Sequence, residues 1–193
     1  MPPVVDPLAV DLANTRSSAG RDRIGTLEQF RGWADGWPAL AAPAGELSEG
    51  ELVEVKSQRD TTQLVLHHLA AAEPLPEAVW EQAIEPGLAA APFRLVAVPG
   101  GGATLPGQPL STVRHLLGRA LVDLVLNLRP GELHRCHGVG CERVFVARRA
   151  DRRWCDSRIC GNRARVAAHA RRHRERPLAG AGGGALAGDS TPS

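Results

Sequence analysis

The sequence predicts an α+β protein: a mostly helical N-terminal domain with a small β-hairpin or sheet, followed by a C-terminal module too small to rest on an apolar core. Three observations carry this expectation. Apolar residues recur at helical spacing through most of residues 1–128. One segment, Phe93 to Val98, alternates instead, as a strand does. All four cysteines, Cys136, Cys141, Cys155 and Cys160, fall within 25 consecutive residues behind the break Arg129-Pro130-Gly131. The expected divisions are residues 1–128, 129–176 and a low-complexity tail, 177–193, read as disordered.

The elements follow in chain order. Asp6-Pro7 before LAVDLANT reads as a helix start, with Asp6 as cap and Pro7 in the first turn. Thr26 to Leu40 is a second helix, with Leu27, Phe30, Ala34 and Trp37 on one face, broken by Pro43, Ala44 and Gly45. Ser48 and Glu51 form a capping box ahead of a long helix. Its stripe is Leu52, Val55, Arg59, Thr62, Leu66 and Leu69, and Pro74 and Pro76 end it near Ala72. Val79 to Ile84 supports one or two further turns. The segment Pro99 to Gly102 turns the strand at Phe93 to Val98 back into a partner at Ala103 to Leu105. A long apolar helix then spans roughly Ser111 to Leu128.

Charge divides the chain as the elements do. The net charge is only +2, yet residues 1–128 carry 9 basic against 15 acidic side chains, while residues 129–176 carry 14 Arg against 5 Asp and Glu. An acidic body joined to a basic module points to a polyanionic partner. Codon bias explains arginine standing in place of lysine, but it does not cluster charge. No apolar run is long enough for a membrane span, and the start lacks a basic segment followed by an apolar core. The expected location is the cytoplasm, where four cysteines serve as metal ligands or reactive thiols rather than disulfides.

The cysteines read C-x4-C, a gap of 13, then C-x4-C. Two close pairs supply the four soft donors of a tetrahedral zinc site, and a full set of four leaves no open catalytic position. A [2Fe–2S] cluster, redox-active thiols or unliganded cysteines are the other readings of the same pattern. Arg143 to Ala147 alternates and could pair with Arg152 to Cys155, and a helix would start just after Cys160. Knuckle, hairpin and helix make a treble-clef-like finger with four cysteine ligands, and with Phe145 and Trp154 as its small core.

The run WCDSRICGNRARVAAHARR, with Cys160-Gly161-Asn162-Arg163 inside it, resembles the CGNR zinc-finger family. In that family the finger follows a domain called ABATE, described as a stress-induced transcription regulator. Leu8 to Arg16, with Asp11, Asn14 and Thr15, resembles the opening of that domain. Where the family carries an Asp and a Ser or Thr after the aromatic, this chain has Ala147 and Arg149. The resemblance implies a bacterial protein that binds nucleic acid through the finger.

The arginines support that independently. On a helix from Arg163 to Arg176, the side chains of Arg165, His169, Arg172 and Arg176 share a sector of roughly 60°. Val166, Ala167 and Ala170 occupy much of the opposite side. Like charges at this spacing destabilise an isolated helix, and a phosphate array would offset that cost. Arg148, Arg149, Arg152, Arg153 and Arg158 would extend the surface onto the hairpin, and Arg163 would reach a phosphate or brace the finger. Docking on the acidic domain, or a merely solvated face, are the rival accounts. Gly161 suits a tight turn, and Asn162 suits a helix cap.

Asp11, Asn14 and Thr15 would either line a ligand pocket or fix the fold through buried hydrogen bonds. His67 and His68 point about 100° apart and should not share an ion. His169 and His173 have metal spacing but cationic neighbours. Trp33, Trp37 and Trp80 read as core. There is no nucleophile elbow, no HExxH and no tyrosine, so no enzyme is expected. The reading is a zinc-containing bacterial transcription regulator, binding duplex DNA as a homodimer, with an N-terminal domain that senses a small-molecule effector or dimerises. An RNA-binding regulator, a redox- or metal-responsive switch built on the four cysteines, and a small-molecule enzyme with an accessory finger are the alternatives.

Overall fold

The computed structural model describes residues 7–17, 20–92, 96–97, 103–104, 107–147, 149 and 151–174. The helices are α1 (Leu8–Ala13), α2 (Leu27–Ala34), α3 (Pro38–Gly45), α4 (Glu49–Ala71), α5 (Glu77–Leu88), α6 (Pro109–Asn127) and α7 (Asn162–Arg174). Among the described residues four short strands complete the order: β1 (Val96–Ala97), β2 (Ala103–Thr104), β3 (Leu133–Arg135) and β4 (Val144–Val146). Two antiparallel pairs form, β1 with β2 and β3 with β4. Asp6, residues 93–95 and 105 of the expected strands, the whole glycine turn at 98–102 and the tail beyond Arg174 lie outside the described residues, as do Arg148 and Arg176.

The capping box at Ser48 is present in full, with the Ser48 hydroxyl accepting from the Glu51 N–H and the Glu51 carboxylate accepting from the Ser48 N–H. The Thr26 cap of α2 has the same reciprocal form, with Gln29 as its partner. The helix expected over Thr26 to Leu40 is instead two. Asp35 to Trp37 interrupts it, and Pro38, whose nitrogen has no hydrogen to give, opens α3 at its first turn. Pro43 to Gly45 belongs to α3 rather than breaking it, and α5 runs well beyond the turn or two expected. Pro7 precedes α1 at the cap position rather than entering its first turn.

The helices enclose one apolar interior in two adjoining parts. Leu12, Ile24, Phe30, Leu52, Val55 and Leu117 fill the first. Ala9, Val10, Val65, Leu66 and Leu121 form the second together with Leu133 and Val144 from the β3–β4 hairpin. The hairpin that leads into the cysteine module is thus seated in the helical core. Helices α5 and α6 touch backbone to backbone. A Cβ added at Gly87 would lie 2.3 Å from the Gly118 carbonyl carbon, so neither glycine leaves room for alanine.

The α4 stripe includes Arg59 as expected, with partners that its spacing did not foretell. Arg59 is only 2% exposed. It donates to both carboxylate oxygens of Asp22, at 2.8 and 2.7 Å, and to Asp60 at 2.9 Å. Burial opposes ionisation of Asp22, but Arg59 and the Ile24 N–H outweigh it and hold that carboxyl below its ordinary value. Leu69, expected on the same stripe, is 38% exposed. Trp33 is core as expected, and its indole N–H donates to Asp11 at 2.9 Å. Among the described residues no helix is long and apolar enough to cross a membrane.

Candidate metal centre and basic helix

The sulfurs of Cys136, Cys141, Cys155 and Cys160 all lie within 4.8 Å of one another. Two knuckles bring them together. In the first, the Cys141 N–H donates to the Gly138 carbonyl at 2.9 Å, and Gly140 takes a left-handed conformation with φ of 66°. A Cβ on Gly138 would press within 3.3 Å of the Cys160 sulfur, so glycine lets this turn close over the cluster. In the second, the Asp156 carboxylate accepts from the N–H groups of Arg158 (2.7 Å) and Ile159 (3.0 Å), opening a wide turn over Ser157–Gly161 that carries Cys160 inward.

The spacing suits a tetrahedral ion. Sulfurs bound at about 2.3 Å to one zinc stand roughly 3.8 Å apart. The observed separations are 3.8 Å for Cys141–Cys155 and 3.7 Å for Cys155–Cys160, far beyond a disulfide. The Cys136 sulfur also accepts from the N–H groups of Gly138 and Cys155, both at 3.4 Å. Burial pushes the Cys155 thiol up, and it pushes Cys160 up to about 11. Burial opposes ionisation at Cys136 too, but the two N–H donors prevail and hold it below its ordinary value. Four thiolates this close are stable only around a cation, so the donor set can hold a metal ion.

The remaining core of the module is Phe145, which is 1% exposed, with Trp154 packed beside it. The Trp154 ring lies against Gly161, where a Cβ would be 3.1 Å from the indole. That is the physical requirement for glycine behind the last cysteine. The expected pairing of Arg143 to Ala147 with Arg152 to Cys155 does not form. The partner of β4 is the upstream β3, in the register Leu133 to Val146 and Arg135 to Val144. Leu133 decides this, because the alternation that buries it in the helical core also aligns it with Val146. The cap at the final helix is Asp156, not Asn162. The helical path starts a turn earlier than expected, so Asn162 already has helical angles.

Of the three polar residues near the N-terminus, each has an internal partner. Asp11 receives Trp33 and Arg23, and the Thr15 hydroxyl donates to the Leu12 carbonyl at 2.7 Å. Asn14 does more. Its amide nitrogen donates to the Val144 carbonyl at 2.8 Å, and its amide oxygen accepts from the Val144 N–H at 3.1 Å. One side chain thereby supplies both hydrogen bonds that a neighbouring strand would give to β4. Asn14 and Thr15 also face a cleft of about 270 Å³ between the helices and the cysteine module, while Asp11 is not among its lining residues. His67 adds a second tie, with Nε2 2.7 Å from the Glu142 carbonyl, whereas His68 turns away to Pro74. Asn14→Ala should leave both backbone groups of Val144 buried and unpaired, at about 2 kcal/mol. Urea unfolding should report that loss while the metal content stays unchanged.

Helix α7 buries no side chain. Its side toward Val166 is open as well, since Val166 is 60% exposed, so the apolar residues there cover nothing. Arg165, His169 and Arg172 line one shallow groove along it. The Arg165 guanidinium also donates to the Ser157 carbonyl at 3.4 Å, and the rings of His169 and His173 lie 4.4 Å apart, tilted by 51°. The other candidate arginines are less free. Arg152 donates to the carbonyls of Trp154 and Cys155, at 3.1 and 2.6 Å, and covers the Phe145 ring. Arg153 reaches His137 and the face of Trp154, and Arg149 pairs with Asp151. Arg158 and Arg163 are exposed, with Arg163 on the wall of the cleft.

No curated protein matches the chain's sequence. A profile described as "CGNR zinc finger" matches residues 132–173, the span of the hairpin, both knuckles and nearly all of α7. A second, ABATE, described as "Putative stress-induced transcription regulator", matches residues 6–127, the whole helical body. The chain belongs to the ABATE family and carries a CGNR zinc-finger segment directly behind that domain.

Proposed function

We propose that Cys136, Cys141, Cys155 and Cys160 hold one zinc ion and that the module it organises binds duplex DNA through α7, as the DNA-binding part of a bacterial transcription regulator acting in the cytoplasm. The observation that carries this reading is a helix that buries nothing yet aligns Arg165, His169 and Arg172. Its 13 residues make a rod about 20 Å long with five arginines and no acidic residue. Such a rod fits the major groove of B-DNA, whereas the deep, narrow groove of A-form RNA excludes side chains. A zinc ion with four thiolate ligands has no open position, so its role is structural, and our reading is of a binding protein rather than an enzyme. One finger holds DNA weakly, and a homodimer would engage two half-sites, with the helical domain pairing the copies or sensing an effector.

Fluorescence anisotropy with a labelled mixed-sequence duplex tests the reading. The zinc-loaded protein should bind with a slope of log K against log salt of roughly −3 to −5, as four or five neutralised phosphates require. Absence of binding at low salt would remove the DNA reading.

A further inference from the structure

The four cysteines are unequally protected. Cys136 is 8% exposed, and its sulfur accepts two N–H groups. Such donors draw electron density from a thiolate and lower its nucleophilicity. Cys160 is 6% exposed and lies beneath Gly138. Cys141 and Cys155 are half-buried. Both line the cleft of about 270 Å³ between the helical body and the module, as does the more deeply buried Cys160, and the other walls include Arg21, Arg143 and Arg163. None of these three guanidiniums has a carboxylate partner among the described residues.

Cationic side chains on the cleft wall stabilise an anionic leaving group there. They also offset the negative charge that four thiolates place around a divalent ion. The cleft gives a small molecule a path to the two more exposed sulfurs, Cys141 and Cys155, which stand 3.8 Å apart, while Cys160, 3.7 Å from Cys155, is the more deeply buried. A disulfide needs a separation near 2.05 Å, so the pair must close by about 1.8 Å.

We infer that Cys141 and Cys155 are a peroxide-modified pair, oxidised to a disulfide through the arginine-lined cleft with release of the metal. The chemistry balances with a hydroperoxide as oxidant. One thiolate attacks the peroxide oxygen, forming a sulfenic acid as the O–O bond breaks and an alkoxide, or hydroxide from hydrogen peroxide, departs. The second thiolate attacks the sulfenic sulfur and expels hydroxide. Two thiolates give up two electrons, and one hydroperoxide accepts them. With two of four ligands consumed, the zinc leaves, and the second knuckle loses its hold on the turn that starts α7.

This inference rests on the zinc reading, so the experiment begins with the metal content of the untreated full-length protein. One zinc per chain is expected there, and none would mean that the zinc reading itself has failed. Zinc-loaded protein is then treated with hydrogen peroxide, with a chelating dye reporting release and peptide mapping locating the bond. The expected result is loss of the zinc, a Cys141–Cys155 disulfide, and recovery of metal binding after thiol reduction and zinc addition. Arg143→Ala should slow the release, while Arg172→Ala on the far face should not. Zinc retained under peroxide, a disulfide that includes Cys136 or Cys160, or equal rates in the two arginine variants would overturn the inference.

Discussion

Cys160→Ser is expected to strip the metal, melt both knuckles and α7, and leave the helical body folded. Zinc-finger peptides gain about 10–16 kcal/mol on binding zinc, far more than a module of this size draws from a small apolar core. Here that core is little more than Phe145, Ala147 and Trp154 around the sulfurs. Helix α7 has no packing of its own to fall back on, because it buries no side chain. A 13-residue helix without tertiary support is marginal in water, and closely spaced arginines such as Arg171 and Arg174 weaken it further. The β3–β4 hairpin should behave differently, since Leu133 and Val144 sit in the helical core and Asn14 clasps Val144 through both its backbone groups. Amide exchange separates the two parts. The Val144 N–H should stay protected in the variant, while the Cys155 and Gly161 N–H groups should exchange freely. Loss of protection across α1, α4 and α6 as well would mean that the metal supports the whole chain.

The second large effect is on affinity rather than stability. The double variant Arg165→Ala, Arg172→Ala removes two cations from one face of α7 without disturbing any buried group. Each lost phosphate contact takes about 0.9 from the magnitude of the salt slope. At about 0.15 M salt two contacts correspond to roughly a 30-fold loss of duplex affinity. Thermal stability and zinc content should not change. Arg152→Ala should act the other way. Its guanidinium holds two carbonyls of the second knuckle and covers Phe145, so its loss should loosen the module first and weaken binding only as a consequence. An equal fall in affinity and slope for both variants, at unchanged stability, would show that Arg152 touches the DNA directly.

The parts of this molecule that were legible in its sequence are those encoded locally. A capping box at Ser48 and Glu51 needs only residues three apart, and it forms as expected. The paired cysteines converge because each pair spans one knuckle, and the separation of the pairs is that of a single folded unit. Features that depend on distant partners were not legible. Nothing near Arg59 announces that Asp22, 37 residues away, will reach it in the core. The partner of β4 was misread because alternation alone does not say which neighbour a strand joins. Leu133 settled the matter through its burial against helices over 60 residues upstream. Asn14 offered a choice between pocket and structure, and 130 residues of separation from Val144 hid its answer. The second-knuckle cap could have been found: Asp156 stands two and three residues before the N–H groups it accepts, the spacing of a helix cap.

The central claim is that one metal ion organises the module and thereby creates the nucleic-acid surface. Titrating zinc into the metal-free protein in the presence of a labelled duplex, with anisotropy as the signal, tests it most directly. No binding is expected without zinc, followed by a rise that ends at one equivalent per chain and reversal by a chelator. Duplex binding of equal strength and equal salt slope in the metal-free protein would contradict it, because the arginines would then act without the fold that aligns them.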